Sequence, residues 1–258
     1  MELNKDTLQN ADRYFSTRRT IRSYSKREVE PELLTHLIEL ASHAPTTGNM
    51  QLYSVVVTRD EEEKKTLAPL HFNQPTVVGC SAVLTFCVDL NRFVRWCEVN
   101  DATPGFDNLQ SLMYGILDTA LFAQQFNTLA EMHGLGCCYL GTTTFNAPQI
   151  AEALRLPKRV IPLTTLTVGY PEDMSHVSDR LPVDAIMHHG HYTQYTDSDI
   201  RRIYAEKESL DESKKFVAEN AKQTLAQVYA DVRYPREGNE TFSAVLADFL
   251  KEYLNPTK

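Results

Sequence analysis

Apolar side chains recur every three or four positions in some stretches of the chain and run without interruption in others. The first pattern is typical of a helix with one buried face, and the second of a strand buried on both faces. Apolar runs predict strands over 52–57, 83–88 and 160–168, and in the segment that ends at Gly141. Helical patterns occur in a lead-in that ends at Phe15, from Pro31, from Asp60, around Trp96, from Asp107 and after Asn146.

Proline, glycine and asparagine predict where several of these helices begin and end. The helix that starts at Pro31 should stop at Ala44, because Pro45 disfavours helical backbone in the residue before it. Gly134 should end the long helix, and Asn146 should cap the helix that follows the last glycine-rich segment.

The stretch from Asp107 to Met132 reads as one long helix whose apolar residues cover more than one stripe. Such a helix is either central in its own subunit or lies at a subunit interface. We expect a homodimer in which this helix packs against its partner, and the core helix of a monomer remains the alternative.

The last third of the chain, from about Thr196, is helical and highly charged, with amphipathic stretches at 199–208, 214–230 and 242–254. An isolated stretch of this kind rarely stands free, so it should wrap around the core or the partner subunit. We therefore expect one domain over 1–258, with 196–258 as a helical C-terminal extension.

Composition and charge restrict the class of protein. The 258 residues are 42% hydrophobic and 23% charged, which is the usual globular mix and excludes wholesale disorder. The net charge of -8 argues against nucleic acid or an anionic membrane as a general partner, because the average surface repels both.

Three features of the sequence point to a cytoplasmic protein. The first residues have no apolar core of the kind a secretory signal needs. No uncharged apolar run is long enough to span a bilayer. The five cysteines are odd in number and lack Cys-x-x-Cys spacing, so we interpret them as reduced and mostly buried.

Arg18, Arg19 and Arg22 place three guanidinium groups within five residues of an acidic chain. Arginine binds phosphate bidentately, so the cluster suits a phosphate monoester, and a solvated basic turn is the alternative. Arg180 is a second basic point, and a glycine-bracketed segment extends from Gly134 to Gly141. Taken together, these features predict three walls of one cofactor site.

Other catalytic readings have little support. The chain has no Gly-x-Ser-x-Gly elbow, Walker loop or His-Glu-x-x-His helix. The segment from Gly134 is not a dinucleotide fingerprint, because Tyr139 stands where its third glycine should be. His188, His189 and His191 form one conceivable metal cluster, and surface histidines are the commoner explanation.

The segments 18–24, 134–141 and 169–171, with 180–182, resemble the flavin-dependent nitroreductase family over residues 15–205. The spacing is most similar to the oxygen-insensitive NADPH nitroreductase and flavin reductase branch. The resemblance implies an α+β fold with a central, mostly antiparallel sheet flanked by helices. It also implies an interlocked homodimer that binds FMN at the subunit interface.

The resemblance also assigns roles to residues. The FMN phosphate and ribityl chain are expected at Arg18, Arg19, Thr20, Ile21 and Arg22, with Arg180 closing on the phosphate from the far side. Flavin contacts are expected from Thr46 and Gln74, the latter from the other subunit, and along the ring from Tyr139, Leu140, Gly141 and Thr142. Charge for the NADPH ribose phosphate is expected at Arg201, Arg202 and Lys207, where a solvated helix face is the alternative.

One position departs from the branch pattern. Ser178 stands where a lysine commonly accompanies the later arginine, and Arg18 stands where the branch often has histidine. Arg18 could therefore compensate for the missing cation.

The implied activity is an NAD(P)H-dependent flavin oxidoreductase that reduces nitroaromatics, quinones or related electron-poor small molecules. NADPH or NADH reduces FMN, and the acceptor then occupies the same site, so no catalytic side chain is demanded. Three alternatives stay open: a reductase of free flavin, a flavin-binding protein without turnover, and a phosphate-ligand module without flavin.

Overall fold

The computed structural model describes residues 5–105 and 108–254. The chain divides into two compact units. The first contains the residues up to His176 and those from Ser243 onward, and the second is Val177–Phe242. The residues from 196 onward are therefore divided between both units.

A four-stranded antiparallel sheet forms the centre of the first unit. Its strands are β1 (Tyr53–Thr58), β2 (Ala82–Asp89), β3 (Gly136–Leu140) and β4 (Val160–Gly169), in the order β1-β2-β4-β3. All three pairs are antiparallel. The expected α+β class with a central antiparallel sheet is confirmed, and β1 and β3 are the two edge strands.

Burial explains why these segments became strands. All eight residues of β2 are buried, as its uninterrupted apolar run predicted. The main core cluster lies where β2 and β4 meet the long helix, and it includes Phe86, Phe122, Phe126 and Leu166. The two central strands, β2 and β4, therefore pack into the core, and β3 lies at an edge of the sheet.

Helices cover the sheet of the first unit. They are α1 (Lys5–Thr17), α2 (Pro31–Ala41), α3 (Glu61–Leu67), α4 (Pro75–Gly79), α5 (Asn91–Glu98), α6 (Leu109–Met132) and α7 (Ala147–Ala153). Two short 3₁₀ turns, Thr47–Asn49 and Ala68–His71, join them to neighbouring elements.

The long helix α6 begins at Leu109 and not at Asp107, and Asp107 lies outside the described residues. The Asn108 side chain caps it by accepting a hydrogen bond from the Ser111 N–H. Gly134 follows its end with φ of 79°, as a helix-ending glycine should.

Two predicted boundaries are corrected by the structure. The helix α2 stops at Ala41, because the last residues before Pro45 tighten into a turn in which the Ala44 N–H reaches the Ala41 carbonyl. Asn146 precedes α7 without a side-chain cap, because its amide donates to the Leu70 carbonyl at 2.7 Å.

The second unit is helical, as the charged amphipathic pattern predicted. It contains α8 (Asp197–Ser209), α9 (Asp211–Glu219), α10 (Leu225–Val228) and the 3₁₀ turn Val183–Ala185. A π-helical turn, Tyr229–Arg233, precedes the last helix, α11 (Arg236–Leu254), whose final residues belong to the first unit. The stretch 214–230 is broken near Ala221, which has φ of 50°.

No helix within 5–105 or 108–254 is both long enough and apolar enough to cross a bilayer.

Candidate functional site

The arginine-rich segment after α1 is fastened to the outer edge of β3. The Ile21 N–H donates to the Cys137 carbonyl at 3.0 Å, and the Ile21 side chain is buried against Gly136. A Cβ on Gly136 would lie 2.6 Å from Ile21, so the absence of a side chain permits this close approach. The Tyr24 hydroxyl also donates to the Thr167 carbonyl on β4 at 3.0 Å.

A second loop, residues 71–74, contacts the turn that follows β3. The side chain of Gln74, just before α4, donates to Thr142 Oγ1 at 3.4 Å, and His71 Nδ1 lies 2.8 Å from the same hydroxyl. The hydrogen bond from the Asn146 amide to the Leu70 carbonyl joins the turn after β3 to the 71–74 loop region at a third point. Gln74 and Thr142, both predicted as flavin contacts, are therefore neighbours.

One hydrophobic cluster connects both loops to β3. It contains Ile21 and Tyr24 from the arginine segment, Val77 from α4, and Cys138 and Leu140 from β3. The structure therefore brings three of the predicted parts together around one edge strand. The side chains of Ile21 and Leu140 lie inside this cluster, so these two residues can offer only backbone atoms to a ligand.

The edge of β3 remains accessible beyond the bond to Ile21. Backbone groups alternate in direction along a strand, and the Cys137 carbonyl points to the outer edge. Tyr139, two residues later, directs its N–H and carbonyl to the same edge. Gly141 is exposed, and a Cβ built on it meets no atom within 4 Å, so the space beside this turn is open.

The three arginines occupy different surroundings. Arg22 is exposed. Burial raises the pKa of the Cys138 thiol, and the positive charge of the nearby Arg22 guanidinium partly offsets that rise. Arg19 donates to the Thr17 and Ser175 carbonyls, both at 3.2 Å, and a guanidinium has five N–H donors, so more remain for an anion. The Thr20 carbonyl accepts a hydrogen bond from the Ser175 hydroxyl. Ser175 is therefore bonded to two consecutive residues of the arginine segment, Arg19 and Thr20.

Arg18 points elsewhere. Its guanidinium forms an ion pair with Glu131 at 3.0 Å, and the Tyr14 hydroxyl donates to the same carboxylate at 2.5 Å. These side chains line a cavity of about 260 Å³ between the ends of α1 and α6. Because Glu131 already balances its charge, Arg18 is less suited to phosphate than the sequence suggested. It is correspondingly less able to replace the cation absent at Ser178.

The loop that follows Thr46 is held by hydrogen bonds to α6. Thr46 itself stands at the start of this loop. It precedes the 3₁₀ turn Thr47–Asn49, and the buried Asp118 side chain accepts bonds from the Thr47 N–H at 2.8 Å and the Leu52 N–H at 3.2 Å. These bonds define the loop without connecting Thr46 to the β3 edge within the subunit.

The remaining predicted cations lie in the second unit. Arg180 is exposed and donates to the Ser178 and Asp179 carbonyls. Lys207 pairs with Asp179 at 2.8 Å, and this bond lowers the pKa of the Asp179 carboxyl and raises that of Lys207. Arg202 pairs with Asp184 at 2.8 Å. Arg201 lines a cavity of about 900 Å³ with Tyr204, Tyr229, Tyr234 and others of this unit.

The surroundings of Cys137, Cys138 and His188 are those of structural residues. Cys137 and Cys138 are buried free thiols, and burial raises the pKa of both. His188 accepts a bond from the Thr193 N–H and lies 3.1 Å from the Tyr195 hydroxyl. Among the described residues no group of three His, Cys, Asp or Glu could hold a metal ion.

The sequence model of the Nitroreductase family matches residues 15–170, more than half of the chain. The chain belongs to the nitroreductase family. The predicted family is therefore confirmed, and so is an oxidoreductase enzyme.

Relatives of this nitroreductase family member include proteins with described activities. It is 34% identical over 181 residues to an "FMN reductase (NADPH)" of Bacillus subtilis, which covers 69% of this chain and 73% of the relative. It is 32% identical over 174 residues to an "Oxygen-insensitive NADPH nitroreductase" of Salmonella typhimurium, covering 67% and 71%. A solved structure from Bacteroides fragilis shares 50% identity with a TM-score of 0.91, covering 96% and 98% of the two chains.

Sequence reasoning missed three side chains at this site: His71, Glu131 and Tyr14. A single histidine or a glutamate at a helix end carries no motif, so nothing in the local pattern marked them. Only the position of His71 three residues before the predicted Gln74 offered a hint.

Proposed function

We propose that the protein is an FMN-dependent oxidoreductase that transfers electrons from NAD(P)H to nitroaromatic, quinone or related electron-poor acceptors. The observation that carries this proposal is the family match over residues 15–170, together with the arginine segment fastened beside the open edge of β3. The named activities of the relatives, FMN reduction and nitro reduction with NADPH, support the same chemistry.

The residues present at the β3 edge fit FMN. Arg19 and Arg22 supply guanidinium donors for a phosphate, and Thr20 lies between them. The Tyr139 N–H faces the edge, and open space lies beside Gly141, as a flat ring system needs. Thr142 and Gln74 add polar side chains at the end of the strand.

Each part of the chain then has a task. Arg19 and Arg22 hold the phosphate, and Arg180 is assigned to it as well, with Arg18 as the weakest member of the set because it pairs with Glu131. Residues Tyr139–Thr142 lie along the ring, where a backbone N–H stabilises negative charge that develops on reduction. When bound, FMN supplies the chemistry of accepting a hydride and passing two electrons on. The protein orients the reactants and needs no side-chain acid or base.

Arg201, Arg202 and Lys207 are assigned to the ribose phosphate of NADPH. Arg202 and Lys207 each already pair with an aspartate, so Arg201 is the strongest candidate of the three.

We also propose that the protein is a homodimer. Gln74 was expected to reach the flavin from the other subunit, but it hydrogen-bonds Thr142 of its own subunit, so we assign it to the flavin beside β3. The helix α6 buries one face in the core and leaves Leu109, Met113, Leu117 and Leu121 exposed at four-residue spacing. A continuous apolar stripe of this kind is a typical protein interface. A single nitroreductase-like domain over 1–258, with 196–258 as its extension, and a cytoplasmic location remain predictions.

The absorption spectrum of the purified protein tests the proposed function. We expect the bands of oxidised FMN, and anaerobic NADPH should bleach them. FMN that stays oxidised with both NADPH and NADH would support a flavin-binding protein without turnover. Colourless protein that takes up no added FMN would contradict the proposal.

Reduction of free flavin is the second candidate, favoured by the relative named FMN reductase. Steady-state rates with nitro compounds, quinones and free FMN at one NADPH concentration rank the two.

A further inference from the structure

A buried imidazole lies beneath the turn that follows β3. His71 ends the 3₁₀ turn Ala68–His71 and is fully buried, with Nδ1 2.8 Å from Thr142 Oγ1. Its Nε2 atom is buried and has no hydrogen-bond partner. Unpaired buried polar atoms are few in folded proteins, and each one calls for an explanation.

The buried surroundings determine which nitrogen carries the proton. Burial lowers the pKa of His71 to about 4, so the ring is neutral near pH 7 and has a single N–H. A proton on Nε2 would be a buried donor with no partner. A proton on Nδ1 has a partner in Thr142 and leaves only a lone pair unpaired at Nε2. Orphaned buried donors are rarer than orphaned acceptors, so the structure favours the Nδ1–H tautomer.

This tautomer determines the direction of the Thr142 hydroxyl proton. A threonine hydroxyl has two acceptor lone pairs and one O–H donor. His71 Nδ1 and Gln74 Nε2 lie 2.8 and 3.4 Å from Thr142 Oγ1, and their N–H groups fill both acceptor positions of the hydroxyl. The Thr142 hydroxyl proton must therefore point away from His71 and Gln74 and donate to an acceptor outside the 71–74 loop.

The turn that presents His71 is itself tightly held. Phe72 and Asn73 both have left-handed backbone, with φ of 54° and 53°. The Asn73 N–H returns to the Ala68 carbonyl at 2.8 Å, and Asn146 holds the Leu70 carbonyl. The donor atom of His71 is thus positioned by backbone on both sides.

We propose that His71 is a positioning residue that fixes the Thr142 hydroxyl as a hydrogen-bond donor to bound FMN. The inference rests on the proposed function, in which residues 139–142 lie along the flavin ring. Reduction places more negative charge on the ring, so an oriented donor stabilises reduced FMN more than oxidised FMN. Thr142 contacts the cofactor and His71 acts through it, and together they raise the reduction potential of bound FMN.

The test is the midpoint potential of FMN bound to the full-length protein, measured beside the dissociation constant for oxidised FMN. Thr142→Val removes the hydroxyl and should make reduced FMN bind about tenfold less tightly relative to oxidised FMN, which lowers the potential by about 30 mV. His71→Leu should lower it in the same direction. His71→Asn should restore it, because the asparagine amide places an N–H near the position of Nδ1.

A double variant and a neighbouring threonine separate this role from a general structural one. His71→Leu combined with Thr142→Val should shift the potential no further than Thr142→Val alone, since both changes remove the same donor. Thr143→Val is the matched control. Thr143 is buried and bonds the Leu140 carbonyl and Thr165, so its loss should reduce stability and leave the potential unchanged.

Four results would overturn the inference: an unchanged potential in His71→Leu, additive shifts in the double variant, an equal shift in Thr143→Val, or no recovery in His71→Asn. If His71→Leu does not fold, ¹⁵N NMR of the wild-type imidazole still decides, because a proton on Nε2 contradicts the argument. Wild-type protein that binds no FMN overturns the proposed function as well. Wild-type protein that binds FMN with a potential insensitive to Thr142→Val overturns this inference alone.

Discussion

Replacing Gly136 by alanine tests whether the arginine segment depends on close contact with β3. The new Cβ would lie 2.6 Å from both Ile21 Cβ and Cγ2, and 2.7 Å from Cγ1. Ile21 cannot move outward easily, because it is buried in a cluster and its N–H is bonded to Cys137. The contact includes Ile21 Cβ itself, so a change of rotamer does not relieve it and the backbone must move.

We expect Gly136→Ala to lower the free energy of unfolding by about 1–3 kcal/mol, the usual cost of overpacking a well-packed site. The displaced segment carries Arg19 and Arg22, so the affinity for FMN should fall as well. Denaturant unfolding measures the first effect, and quenching of FMN fluorescence measures the second. Ile21→Val should not rescue the variant, because valine keeps the Cβ and both branches.

Gly79→Ala is the matched control. A Cβ on Gly79 at the end of α4 meets no atom within 4 Å, and alanine in place of glycine in a helix is neutral or stabilising by up to about 1 kcal/mol. If Gly136→Ala unfolds at the same denaturant concentration as wild type and binds FMN equally well, the arginine segment is not held as described.

Three further predictions concern charge, pH and assembly. Arg19→Ala or Arg180→Ala should weaken FMN binding by about 1–3 kcal/mol, the range for losing a charge-assisted hydrogen bond, and unchanged affinity in a fluorescence titration removes that residue from the phosphate site. The pKa of His71 is about 4 when folded and 6.5 when unfolded, so the unfolded state binds more protons between these values and stability falls as the pH drops. The loss between pH 6.5 and pH 4 should approach about 3 kcal/mol, and His71→Asn should lose correspondingly less in denaturant titrations at each pH. Leu117→Glu, in the exposed stripe of α6, should convert dimer to monomer in sedimentation velocity, and an unchanged sedimentation coefficient contradicts an interface at this helix.

Local patterns were sufficient for most of the secondary structure. An uninterrupted apolar run predicted β2, and Gly134 predicted the end of α6, because burial on two faces and left-handed backbone both leave a mark on the residue types themselves. The wrong predictions concern helix ends. Asn146, for example, donates a hydrogen bond to the distant Leu70 carbonyl and does not cap its own helix. Such a choice depends on what the fold brings near.

The candidate site divides in the same way. Clustered charge made Arg18, Arg19 and Arg22 visible, and the resemblance carried by the surrounding motifs led to the family. The sequence could not show that Arg18 forms an ion pair with Glu131, far along the chain, or that His71 lies against Thr142. Charge and periodicity are properties of a segment, whereas the pairing of side chains depends on which segments the sheet topology brings together.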